Sequence, residues 1–315
     1  MPALITHDYF GRDVHARLTD STLFFQVDDS LKKAAFELFL IGCQGPDPFF
    51  FVQMTPTFKL CKQFGSLMHI EKVEEAIESL RRIALSLPVP KQQLVAAYLS
   101  GFLCHYTLDS IMHPFVYAHQ TAICNAGVKG LDSSDGRAVH AQIEADLDMM
   151  LLHQRKGVGL REYNYTQDVL RADDEGLALI NNAYLAMAHE VYALDLPSNA
   201  FLQGVKDMRL TIRAFYSPRG IKRSFLGKFE RIFARHSFVQ ALSPRFDVGT
   251  TCDYDNREHA EWIDPFFGVA HTTSFSDLFE AAVERAVRNI EALWGGAPVQ
   301  EITNGINFEG SNLPQ

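Results

Sequence analysis

Inside the apolar stretch QQLVAAYLSGFLCHYTLDSIM and just past its end, His105, Asp109 and His113 stand four residues apart. A four-residue step turns a helix by about 400°, so the three side chains stack on one face with about 40° of drift per step. A segment this apolar belongs in a core, yet one stripe of it carries two imidazoles and a carboxylate that are costly to bury without partners. A metal ion is a partner that suits all three. His140 and Glu144 repeat the i,i+4 spacing one helical segment later, in AVHAQIEADLD. Two such helices side by side would aim five donors into one cleft.

Helical signals dominate elsewhere in the chain as well. Ser30 is placed to cap LKKAAFELFLIG, which stops at the Gly-Pro-Asp-Pro turn of 45–48. EKVEEAIESLRRIALSL carries apolar residues at helical intervals and is closed by Pro88 and Pro90, and Pro90 then sits near the start of the long apolar helix, where a first-turn proline is tolerated. Further helices are expected over 137–153, 174–193, 198–216 and 221–236. A last one runs over 274–294, with Ser274 as N-cap, Asp277 at N3 and Gly295-Gly296 at its end. No alternating strand pair with a hairpin turn is found, so the fold class is all-α. The glycine-bearing, charged loop 153–167 suggests a metal-site lobe over 1–155 and a C-terminal helical lobe over 156–297, within one compact domain or as two. Residues 298–315 read as a polar tail.

With 315 residues, 47% of them hydrophobic, the chain can bury a sizeable core. Its net charge of −9 argues against a general nucleic-acid binder. MPALITHDYFGRDVHARL lacks the apolar centre of a signal peptide, and no run of about 18 apolar residues exists to span a membrane. The five cysteines are odd in number and form no CxxC pair, which suits a reducing compartment, so the expected location is the cytoplasm.

Three more positions extend the donor set: His7 in LITHDYFGRDV, Asp47 in GCQGPDPFFF and His69 in SLMHIEKV. Imidazoles and carboxylates together suit Zn²⁺ or related transition metals rather than Mg²⁺ or Ca²⁺. At about three protein donors per ion, His7, Asp47, His69, His105, Asp109, His113, His140 and Glu144 are enough for two or three ions.

In order and spacing these eight residues resemble the ligands of the zinc-dependent phospholipase C family and its relatives, the S1/P1-type nucleases. The resemblance covers roughly the first 150 residues. It implies an all-α, multi-helix bundle around a zinc cluster that hydrolyses a phosphate ester, phospholipids among the candidate substrates, with water activated by metal. By that resemblance Asp47, His69, His105 and Asp109 would surround one ion, and Asp109 would bridge to a second held by His7. His113, His140 and Glu144 would hold a third, and Asp47 would orient the attacking water. The secreted members add an N-terminal amine freed by signal-peptide cleavage; here the Pro2 amine would have to take that place after loss of Met1. A shorter gap after Asp109 leaves His119 as a rival to His113. The stretch DYDNREHAEWIDPF, with Asn256, His259 and Trp262 as pocket candidates, resembles one near the C-terminus of intracellular members.

Other readings are a non-catalytic metal-binding or scaffold protein of the same fold, and an HD-type phosphohydrolase prompted by His7-Asp8. The aromatic runs 49–51 and 266–267 are candidates for core or for lipid contact. The basic, amphipathic 218–235 suits a solvated helix, an anionic membrane surface or a nucleic acid.

Overall fold

The computed structural model describes residues 3–18, 27–52, 58–127, 132–216 and 249–314; the expected helix 221–236 and the basic segment 218–235 lie outside them. Ten α-helices occur among the described residues: α1 (Leu4–Arg17), α2 (Asp29–Gly42), α3 (Phe58–Ile70), α4 (Val73–Ser86), α5 (Val89–Cys124), α6 (Gly136–Lys156), α7 (Asp174–Tyr192), α8 (Ala200–Phe215), α9 (Phe275–Trp294) and α10 (Val299–Thr303). The only described strands, β1 (Trp262–Ile263) and β2 (Ala270–His271), pair antiparallel. The protein is all-α. None of the described helices is long and apolar enough to cross a membrane.

The chain divides into two compact units, and not at the loop 153–167. The first comprises His7–Ser110, Leu170–Thr211 and Ala281–Gln315; the second comprises Met1–Thr6, Ile111–Val169 and Ile212–Glu280. Sequence reading places a boundary where the composition turns polar, but each unit here gathers helices from distant parts of the chain. Nor is 298–315 a tail. It contains α10, and Val299, Ile302 and Phe308 are buried.

In the first unit, α2 and α5 meet backbone to backbone. A Cβ on Gly42 would lie 2.1 Å from the Tyr98 carbonyl oxygen, and one on Gly101 would lie 1.9 Å from that of Phe39. Phe39, Ile41, Leu99 and Phe102 fill the space beside the crossing. The Tyr98 and Tyr184 hydroxyls hydrogen-bond at 2.7 Å, and the rings of Phe49, Phe64, Tyr184 and Phe201 pack together nearby. Phe49 of the 49–51 run is therefore core. From α9, Asn289 donates to the Thr107 hydroxyl and Trp294 to that of Ser100, each at 2.9 Å, which ties α9 to α5.

In the second unit, the buried Asp148 of α6 accepts hydrogen bonds from the backbone N–H groups of Ile5 and Thr6 and from the Thr6 hydroxyl. The first turn of α1 leaves N–H groups without helical acceptors, and this carboxylate takes two of them. Ser274 and Asp277 form the expected capping box of α9, each side chain accepting from the other's backbone N–H.

Other expectations shift. α2 begins at Asp29 behind Asp28, so Ser30 lies in its first turn rather than at the cap. α5 runs 36 residues, straight through Pro114. That proline removes one hydrogen bond, but Phe115 and Val116 just after it are fully buried, and their packing holds the helix line. Gly101→Ala should cost about 3 kcal/mol or more, because the obstructing atoms are backbone and cannot rotate away. Urea unfolding of the variant against the wild type measures this.

Candidate functional site

The helix crossing aims the chain directly after α2 at α5. Residues 43–46 turn and enter a short 3-10 helix, Asp47–Phe51, which presents Asp47. Gly45 has φ +50° and its missing Cβ leaves room for the His105 ring, whose Cδ2 would lie 2.2 Å from it. A side chain at 45 would be both strained and in collision. His7 comes from α1, His69 from the last turn of α3, and His105 and Asp109 from successive turns of α5. His69 thus ends α3 just before α4 begins at Val73.

These five side chains form two overlapping donor groups in the first unit, His7 with His105 and Asp109, and Asp47 with His69 and His105. His7 Nε2 lies 3.1 Å from Asp109 Oδ1, and His105 Nε2 lies 3.2 Å from Asp109 Oδ2, so each carboxylate oxygen faces a different imidazole. His69 Nε2 lies 3.5 Å from Asp47 Oδ1. His7, Asp47, His105 and Asp109 are buried.

Ring tautomers follow from the neighbours. His105 Nδ1 donates to the Cys43 carbonyl at 3.2 Å, and His69 Nδ1 to that of Gly65 at 2.7 Å, because a carbonyl can only accept. Each Nε2 therefore keeps its lone pair when the ring is neutral. Burial lowers the His105 pKa to about 4, so this ring is neutral near pH 7. Its buried Nε2 has no hydrogen-bond partner, yet it faces a carboxylate oxygen. Two electron-rich atoms in that position call for a cation between them. His7 Nδ1 is a second buried atom without a hydrogen-bond partner. At His69 burial alone would lower the pKa, but the hydrogen bond and charge of Asp47 outweigh it and raise it. Asp47 in turn is held below the usual carboxylate range, chiefly by His69, against the opposing effect of burial.

The second unit holds another group, His113, His140 and Glu144. Glu144 Oε1 lies 3.3 Å from His140 Nε2 and 3.7 Å from His113 Nε2. The Gln120 side-chain oxygen accepts from His140 Nδ1 at 3.1 Å, which leaves the Nε2 lone pair toward Glu144. All eight candidates thus fall into donor groups of nitrogen and oxygen, the chemistry that suits zinc.

The structure brings His113, not its rival His119, into the donor group with Glu144. The pocket candidates tie their own segment together. Asn256 donates to the carbonyls of Ala260 and Thr273, His259 bonds that of Thr272, and Trp262 donates to that of Thr273. Asp8, the second half of the His7-Asp8 pair, belongs to no donor group and pairs with Arg12 at 2.7 Å. Sequence reading did not find Gln120, nor Phe308, whose ring centroid stands 5.1 Å from that of His69 and 5.6 Å from that of His105. A glutamine two turns beyond His113 and a phenylalanine far along the chain carry no motif.

The chain matches the family model described as Zinc dependent phospholipase C over residues 6–194. That span is more than half of the 315 residues and includes every donor above, and the chain belongs to this family. No curated protein and no solved structure matches it.

Phe308→Ala should destabilise the protein by about 3–5 kcal/mol, since a fully buried ring is lost beside two imidazoles that cannot close the gap. Chemical denaturation followed by far-UV circular dichroism measures the loss.

Proposed function

We propose that the protein is a zinc-dependent phosphoesterase that hydrolyses a phosphate ester with water, in the manner of a phospholipase C. The observation that carries this reading is His105: a buried neutral imidazole with its Nε2 lone pair directed at Asp109, shared by two donor groups. His7, Asp47, His69, His105 and Asp109 would hold zinc in the first unit, and His113, His140 and Glu144 in the second, for two or three ions in all. Zinc bound there supplies Lewis acidity toward a phosphoryl oxygen and makes water a stronger acid.

The remaining steps fall to side chains. Asp47, ionised near neutrality, accepts a hydrogen bond from the attacking water and takes up its proton. Phe50 and Phe308 flank His69 with apolar rings, which limits water and strengthens the local electrostatics. A cysteine nucleophile is not needed; burial and the neighbouring Cys104 push the Cys43 thiol well above its ordinary pKa. The five free thiols suit a reducing location, the cytoplasm.

Metal analysis of the purified protein should find two or three zinc ions per chain. Hydrolysis of at least one ester in a panel of phosphate monoesters, diesters and phospholipids should stop with chelator and return with zinc. Asp47→Asn should lower kcat by about 100-fold or more while most of the zinc stays bound. Protein without zinc, or zinc-loaded protein that turns over no ester, would sink the proposal, and the second result is what a binding protein of this fold would give.

Gln120→Leu should weaken zinc binding at one site by about 10-fold to 100-fold, because His140 loses the acceptor that fixes its tautomer. Competitive titration with a chromophoric chelator reads this directly. Gln120→Glu, which keeps an acceptor, should retain affinity near the wild-type value.

A further inference from the structure

Nine large apolar side chains are exposed among the described residues, and four of them, Ile263, Phe266, Phe267 and Val269, lie in the single hairpin formed by β1, β2 and their turn. Their exposures run from 37% to 58%, and every residue from Pro265 to Ala270 is exposed. We propose that this hairpin is a docking tip for an electrically neutral lipid surface. The inference rests on the phosphoesterase reading in one respect, that an amphipathic ester is the substrate the tip would help to reach.

The tip is built rather than loose. Asp264 Oδ1 accepts from the backbone N–H groups of Phe266 at 2.7 Å and Phe267 at 3.1 Å, while the Asp264 N–H donates to Val269 and its carbonyl accepts from Gly268. Below the turn, the buried Trp262 packs edge-on against Phe115 and stacks on His271. These hydrogen bonds fix the turn backbone, and the side chains at the turn stay exposed. An apolar tip ordered in this way enters a lipid interface without a further ordering cost.

Size and charge select the occupant. Four side chains at these exposures present roughly 400 Å² of apolar surface, about half of what one side of a standard protein interface needs. Partial insertion into a lipid layer has no such area requirement. From Asp253 to His271 the segment carries five acidic residues against Arg257 alone. That excess repels anionic headgroups, so the favoured surface is neutral. The tip is also continuous with a donor group of the same unit. The Phe266 ring centroid stands 5.6 Å from that of Tyr117, which stands 4.9 Å from that of His140. One aromatic ring therefore separates the apolar tip from a histidine proposed to hold zinc.

Flotation of the full chain with phosphatidylcholine vesicles, and with vesicles enriched in phosphatidylglycerol, tests the proposal. The wild type should float with the first and less with the second. Replacement of Ile263, Phe267 and Val269 by aspartate should reduce flotation by about tenfold or more, and replacement of the same three by alanine should reduce it by less, with far-UV helicity unchanged. Absence of binding to phosphatidylcholine overturns the proposal. So do a preference for phosphatidylglycerol, variants that float like the wild type, and a wild type that self-associates through the tip in sedimentation. Flotation requires no turnover. A protein that floats but hydrolyses nothing therefore removes the enzymatic reading alone, and one that hydrolyses a water-soluble ester but does not float removes only the docking tip.

Discussion

Backbone contact between α2 and α5 at Gly42 and Gly101 is the constraint on which the first unit's donor groups depend. With no side chain at either position, the helices approach until a carbonyl of each sits where the other's Cβ would be. The chain leaving α2 then has nowhere to go but across α5, and the Cys43 carbonyl arrives within 3.2 Å of His105 Nδ1. Gly45 continues the same economy of space, yielding the volume that the imidazole ring fills. A wider helix separation would move a hydrogen-bond acceptor, a ring and Asp47 together.

The electrostatic pattern follows from this packing. Backbone carbonyls hold the Nδ1 side of His69 and His105, carboxylates face their Nε2 atoms, and burial denies His105 the proton that would reconcile it with Asp109. In the second unit a side-chain amide performs the carbonyl's task for His140. The two units use the same arrangement, an acceptor behind the ring and a carboxylate before it, with different residue types behind. Such orientation costs nothing at the moment of binding because it is already present in the protein's own hydrogen bonds.

How much of this was legible in the sequence depended on whether the information was local. The i,i+4 spacings of His105, Asp109 and His113 and of His140 and Glu144 are local, and helices α5 and α6 do carry them. The capping box at Ser274 is local as well. Pro114 lies inside α5: its lost hydrogen bond is a local effect, whereas the burial of Phe115 and Val116 beside it is not. That His113 and not His119 groups with Glu144 depends on where α6 places that carboxylate. Gln120 and Phe308 act through partners distant in sequence. α1, whose apolar residues are poorly segregated, escaped notice, and so did α3 despite the helical spacing of Cys61, Phe64 and Met68; the division into two discontinuous units was missed because contacts between remote segments leave no pattern in composition. The hairpin of 262–271 was missed for a related reason: two residues per strand are too few to alternate.

Phe308 has one more consequence. It lies beyond every donor in the chain, yet its ring stands against His69 and His105, and its N–H bonds the His69 carbonyl. A protein made from its amino end therefore completes all five donors of the first unit well before the ring that shelters them is synthesised. Until then His69 and His105 lack the buried ring that stands against both of them in the finished protein.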